Sequence, residues 1–341
     1  MKYATTIKFL LNIMSKKDKP LQINSVELSD QNGFSFPADI YEPVNEDHYK
    51  GTIIFFHGMN KLGNKDERMV ALFKAAARAN FRAVAPDYEI LKNHFVDGQS
   101  VHDFAATIRM VANDKALTPS GKVGLFTASF SGTFTVHAAI RDDVNHLIAS
   151  LCSVGVCYHP IETFTGLLDG RGADSYSRFI SMKNLLFIAG ELDSVSEKAL
   201  SLGIDDNFVG RKHQFEDYLK TIEDKEKREY LEEIGRKIYA QEDLATPYAK
   251  HIQMMQDAYF IDEGLKNLKC NVALIHSEDD KVLHTTESKL LCEQLKRHHV
   301  PVKMVITPLL EHADVQFKIK YLIDVFRLIN GFAFFFDHIK R

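Results

Sequence analysis

The chain has 341 residues, more than one compact core of ordinary size holds and too few for three, so one large core carrying a substantial insertion is expected. Hydrophobic residues make up 45% and charged residues 26%, as in soluble globular chains generally, and 42 basic against 46 acidic side chains leave a net charge of −4. That balance argues against nucleic acid as a partner, because phosphate binding needs a basic excess. Cys152, Cys157, Cys270 and Cys292 have neither CxxC spacing nor the density of a disulfide scaffold, so free thiols in a reducing, cytoplasmic setting are expected.

In chain order, Ile7, Leu10, Leu11 and Met14 fall at helical spacing with lysines mostly elsewhere, which predicts a short basic amphipathic helix. Lys8 and Asn12 interrupt its apolar run, and no small-residue cleavage pattern precedes Lys16, Lys17 and Lys19, so it is not read as a signal peptide. The expected role is a helix docked on its own domain or frayed; peripheral membrane contact is the less favoured reading. Residues 24–28 and 34–41 flank a turn containing Gly33 and predict an antiparallel hairpin. Strands are then predicted at 51–56, 81–85, 122–128 and 146–156, alternating with helices at 67–80, 102–112 and 130–141. Strands that are apolar on both faces and separated by helices imply a doubly wound, mostly parallel sheet covered on both sides.

The alternation stops over residues 158–268, which are helical in pattern and charged; Phe215, Tyr218, Leu219, Leu231 and Ile234 stand among Glu, Asp, Lys and Arg as on surface helices with one apolar side. It resumes with strands at 270–276 and 300–306, a helix at 286–298 and a terminal helix whose Phe332, Phe334, Phe335 and Phe336 are expected to pack inward or at a subunit contact. No segment reaches the roughly 20 apolar residues of a membrane-spanning helix. Residues 1–157 and 269–341 are therefore read as two parts of one α/β core, with 158–268 a mainly helical cap inserted between two of its strands.

Thr127, Ala128, Ser129, Phe130, Ser131 and Gly132 join an apolar strand to a helix, so Ser129 is expected on a sharp turn that needs small neighbours where the two backbones converge. Thr127 meets that need least well. After the first long strand comes His57-Gly58-Met59, after the next Ala85-Pro86-Asp87, and the last two strands lead into the stretches 277–282 and Leu310-Glu311-His312-Ala313. This order resembles the α/β-hydrolase superfamily over nearly the whole chain outside the insertion, with the order serine, acid, histidine along the sequence. It departs from the family where Tyr88 and Glu89 stand in place of the usual arginine and glycines, and where Thr127 replaces a glycine.

The resemblance implies Ser129 as nucleophile, His312 as base and Asp280 as the acid that orients it. Asp280 is preferred to Asp279 because Lys281-Val282 supplies the x-Val step that follows the family's acid. Backbone amides of Met59 and Phe130 are the implied oxyanion donors. The chemistry is coherent: a serine hydroxyl needs an adjacent base, and an imidazole that titrates near neutrality can take and return its proton. His57 is read as a support for turn geometry. His276, Glu278, Asp279 and Asp280 include metal-ligand types but lack a partner cluster, and no HExxH motif occurs, so neither metal nor cofactor is expected.

The expected activity is cleavage of a small-molecule carboxylic ester or thioester through an acyl-enzyme. Acyl transfer, amide or peptide cleavage on the same fold, and a non-catalytic binding protein are the alternatives. The elbow's missing glycines are similar to those of bacterial acyl-carrier thioesterases that feed fatty aldehyde synthesis, which would favour long-chain thioesters. Oligomeric state is left open by the sequence.

Overall fold

The computed structural model describes residues 2–15, 20–30, 33–45, 48–170, 173–208, 210, 212–311, 314–315 and 322–340. The elements run α1 (Lys2–Met14), β1 (Ile23–Ser29), β2 (Ser35–Tyr41), β3 (Thr52–Phe56), α2 (Glu67–Arg78), β4 (Arg82–Pro86), α3 (Glu89–Lys92), α4 (Gln99–Asn113), β5 (Val123–Ala128), α5 (Ser131–Ala139) and β6 (Ile148–Val154). Six helices follow: α6 (Pro160–Leu168), α7 (Ser175–Ile188), α8 (Ser194–Phe208), α9 (Gln214–Leu219), α10 (Lys225–Tyr239) and α11 (Ala249–Tyr259). The chain closes with β7 (Asn271–Ser277), α12 (Thr285–Arg297), β8 (Val302–Thr307), the two-residue strands β9 (Leu310–Glu311) and β10 (Asp314–Val315), and α13 (Leu322–Phe336).

Two compact units result, one of Met1–Lys92, Asp97–Tyr158 and Ile261–Arg341, the other of Asn93–Val96 and His159–Phe260. The first holds an eight-stranded sheet in the order β1-β2-β4-β3-β5-β6-β7-β8. Strands β1, β2 and β4 pair antiparallel, and every pairing from β4 to β8 is parallel. The doubly wound, mostly parallel sheet expected from the apolar strands is thus present. All five residues of β3 are buried, as are the first five of β5, because helices cover both faces of these central strands. Strand order reverses between β3 and β5, which lie side by side with Phe56 opposite Thr127. In open sheets of this kind the crevice beyond the carboxyl ends at such a switch point is where ligands bind.

Helix α13 sends Phe332, Phe335 and Phe336 into the core. Phe334 is only partly buried. Phe9 of α1 packs edge-on against Phe332 and Phe336 at 5.4 and 5.0 Å, and full burial of such a ring stabilises by roughly 1.5–3 kcal/mol. Helix α1 meets the core on a face adjoining the one that the spacing of Ile7, Leu10, Leu11 and Met14 predicts. The helix is docked on its own unit, but through Thr5, Thr6, Phe9 and Leu10, and Ile7, Leu11 and Met14 are left exposed on an adjoining face. The side chain with the larger apolar surface, Phe9, sets which face turns inward.

In the second unit the fully buried Arg178 of α7 donates to the carbonyls of Leu167, Lys237 and Glu242, satisfying acceptors at the ends of α6 and α10. Asp174 and Asp224 cap α7 and α10 by accepting backbone N–H groups at N3. Residues 93–96 join this unit because Asn184 bonds the Val96 N–H and the His94 carbonyl, while Lys183 donates to the Asn93 carbonyl at 2.9 Å.

Candidate active site

Ser129 occupies the turn between β5 and α5 with φ of 60°, a left-handed conformation that costs a non-glycine residue about 1–2 kcal/mol. Its N–H donates to the Val154 carbonyl at 2.9 Å and its carbonyl accepts from Gly132 N at 2.9 Å, so both strand β6 and the first turn of α5 hold the strained residue. Ser129 is partly exposed, although Thr127, Phe130 and Ser131 around it are buried.

The need for small neighbours falls on two glycines. A Cβ on Gly132 would lie 2.6 Å from Ser153 Oγ, and one on Gly58 would lie 3.2 Å from the Ala128 carbonyl oxygen and 3.3 Å from Ser129 Cβ. Thr127 is tolerated because its Oγ1 meets Ser131 Oγ at 3.3 Å, and Ser131 Oγ in turn donates to the Ala128 carbonyl at 2.7 Å. Phe130 is the N-cap of α5, where backbone amides and the helix dipole favour negative charge.

The close approach of Gly58 brings the loop after β3, and with it the partly exposed Met59, alongside Ser129. That loop is pinned from below. His57 is fully buried; its Nε2 accepts the Tyr88 N–H at 3.1 Å and its Nδ1 faces the Gly58 carbonyl at 2.8 Å. Only the neutral tautomer with hydrogen on Nδ1 satisfies both partners, and burial keeps the imidazole pKa below its ordinary value, against the weaker pull of Asp87. Beyond Met59, Asn60 bonds Asp66, which caps α2 by accepting from Arg68 N at 2.9 Å, and Asn64 donates to the Ala85 carbonyl at 2.9 Å. Tyr88 thus serves the loop through its backbone amide, a role no side-chain motif could announce.

Asp280 follows β7. Its Oδ1 accepts the N–H groups of Val282 and Leu283, both at 2.9 Å, while a Cβ on Gly155 would lie 3.7 Å from Oδ2. Gly155 follows Val154, the residue that holds the Ser129 N–H, so serine and carboxylate abut the same turn at the end of β6. Glu278 and Asp279 are exposed. The buried His276 contacts the Leu283 carbonyl through Nε2 and Ser288 Oγ through Nδ1, both at 2.7 Å, and burial depresses its pKa. It therefore braces the Asp280 turn as a neutral imidazole; the sequence offered it only as a metal-ligand type.

His312 lies outside the described residues. Flanking it, Glu311 pairs with Asp314 in a two-strand ribbon, and the Leu310 carbonyl accepts from Ser277 Oγ at the end of β7. Among the described residues there is no group of three His, Cys, Asp or Glu side chains able to hold a metal ion, and no helix long and apolar enough to cross a membrane.

No protein-family model matches the sequence, and a search of curated proteins gave no match. Solved structures do resemble it. A protein of Legionella pneumophila aligns with 99% of this chain and 94% of its own at 12% identity and a TM-score of 0.59. An esterase from Pyrococcus furiosus aligns over 96% of both chains at 12% identity and a TM-score of 0.52. The chain spans 37% of the length of an acylaminoacyl peptidase from Pyrococcus horikoshii, with 85% of its own residues aligned at 15% identity and a TM-score of 0.46. Taken with the sheet order and the Ser129 turn, the first two of these likenesses define an α/β-hydrolase fold.

Proposed function

We propose that the chain is a serine hydrolase that cleaves a small-molecule carboxylic ester or thioester. The observation that carries this reading is the strained Ser129 turn at the sheet's switch point, with the Met59 loop packed against it. A left-handed, partly exposed serine held by Val154 and Gly132 carries a cost that a purely structural N-cap would not require. The esterase named above supports hydrolysis in general, through its fold.

In the proposed reaction Ser129 Oγ attacks the acyl carbon as His312 takes the hydroxyl proton, and Asp280 holds the resulting imidazolium. The N–H groups of Met59 and Phe130 receive the charge on the carbonyl oxygen; one such donor is worth about 3 kcal/mol of barrier. The proton passes from His312 to the leaving alkoxide or thiolate, and water then repeats the sequence to release the acid and regenerate Ser129. Protein groups alone supply every proton transfer in this scheme. The four cysteines are buried and none is in a disulfide, which supports a reducing cytoplasmic setting.

The test is a chain-length series of p-nitrophenyl esters and acyl thioesters, run beside peptide anilides on the native chain and on Ser129→Ala. Ester or thioester turnover that the substitution abolishes is the expected result. Turnover that survives it contradicts the proposal, and preferential anilide cleavage would replace esters by amides.

A further inference from the structure

Six of the twelve exposed large apolar side chains among the described residues sit on two helices of 13 and 15 residues, α1 and α13. On α1, Tyr3, Ile7, Leu11 and Met14 follow one another at helical spacing and form a single stripe beside the docked Phe9–Leu10 face. On α13, Ile323 and Phe326 are 70% and 64% exposed and share a face with Asn330, one turn further on. Tyr3 donates its hydroxyl to Asn330 Oδ1 at 3.2 Å, which joins the two stripes edge to edge. Phe326 and Asn330 also line a groove of about 540 Å³ whose far wall is the edge strand β8, with Lys303 and Met304. Soluble chains scatter exposed apolar residues singly; a continuous strip across two packed helices marks an interaction surface.

Charge selects the occupant. Residues 1–17 contain Lys2, Lys8, Lys16 and Lys17 and no acid, in a chain whose net charge is −4. Lys8 is exposed beside the stripe, and Lys303 borders the groove. On α13, Asp324 is paired with Arg327. A two-fold pairing of this face with a second copy would set its lysines against one another. An apolar helical stripe flanked by lysines suits the boundary between acyl chains and anionic headgroups, where the stripe is buried and the lysines meet negative charge.

We propose that the α1–α13 face docks on an anionic lipid surface, holding the protein at the membrane without spanning it. The test is co-sedimentation of the full chain with phosphatidylcholine vesicles and with phosphatidylcholine–phosphatidylglycerol vesicles. Binding to the anionic vesicles at low salt is expected. It should weaken by about tenfold or more in the pair Leu11→Glu and Phe326→Glu, and again in the pair Lys8→Glu and Lys17→Glu. Circular dichroism checks that the variants fold; if the glutamate pair does not, Leu11→Ala with Phe326→Ala must still weaken binding. No binding to anionic vesicles, or binding that both apolar pairs leave unchanged, overturns the proposal. So does self-association in the ultracentrifuge, removed by the same pairs, in a protein that ignores vesicles, since a second copy would then be the occupant.

Discussion

The Tyr88 N–H donates to Nε2 of His57 at 3.1 Å, which leaves the hydrogen of that buried ring on Nδ1, aimed at the Gly58 carbonyl. No peptide bond described is cis, so the Gly58 carbonyl and the Met59 N–H point in opposite directions across one plane. Fixing the first fixes the second. Replacing His57 by Ala should therefore lower kcat on esters by about 100-fold with little change in KM, as expected when one oxyanion donor is lost. Leaving the Tyr88 amide without its acceptor should also cost about 1–3 kcal/mol in a denaturant titration. An unchanged kcat would mean that the Met59 donor does not depend on the ring.

Strain at Ser129 separates stability from activity. Ser129→Ala keeps a Cβ at φ of 60°, whereas Ser129→Gly removes it. Both variants should lose turnover, but the glycine variant should be the more stable of the two by roughly 0.5–1 kcal/mol, after allowance for its freer unfolded chain. Thermal melts of the two side by side give the difference; a less stable glycine variant would contradict the strain argument.

The two adjacent aspartates should behave differently. Asp280→Asn should lower kcat by about 10³–10⁴-fold, because an amide holds the imidazole in the wrong tautomer. Asp279→Asn, at an exposed position, should leave it within about twofold. Steady-state kinetics of both variants decide the assignment, and the reverse order would move the acid to Asp279.

Burial depresses the pKa of both His57 and His276. In the unfolded chain these rings titrate near 6.5, while in the folded protein they stay neutral to lower pH. Below about pH 6.5 the unfolded state therefore binds more protons, and stability falls as pH drops toward the folded-state values. Urea midpoints should decrease from about pH 7 to about pH 5.5, and His276→Asn should flatten that slope. A midpoint that rises on acidification would refute this.

Much of this site can be read from residues in order. The two-sided apolar character of β3 and β5 announces a covered parallel sheet, and small residues around Ser129 announce the turn. What could not be read depends on atoms that carry no sequence signal. Lys183 and Asn184 recruit residues 93–96 to the second unit through main-chain groups of Asn93, His94 and Val96. Thr127 looks too bulky until its hydroxyl is seen against Ser131, because Gly132 carries the steric demand at Ser153. On α1, helical spacing fits two neighbouring faces, and only contact with Phe332 and Phe336 decides that Phe9 turns inward.

The central claim, that Ser129 is an activated nucleophile, is tested most directly by a fluorophosphonate probe with intact-mass and peptide analysis. One adduct per chain on Ser129, absent from Ser129→Ala and suppressed in His312→Ala, is the predicted result. A chain that remains unlabelled under conditions that label a control serine hydrolase, or an adduct on another residue, would contradict it.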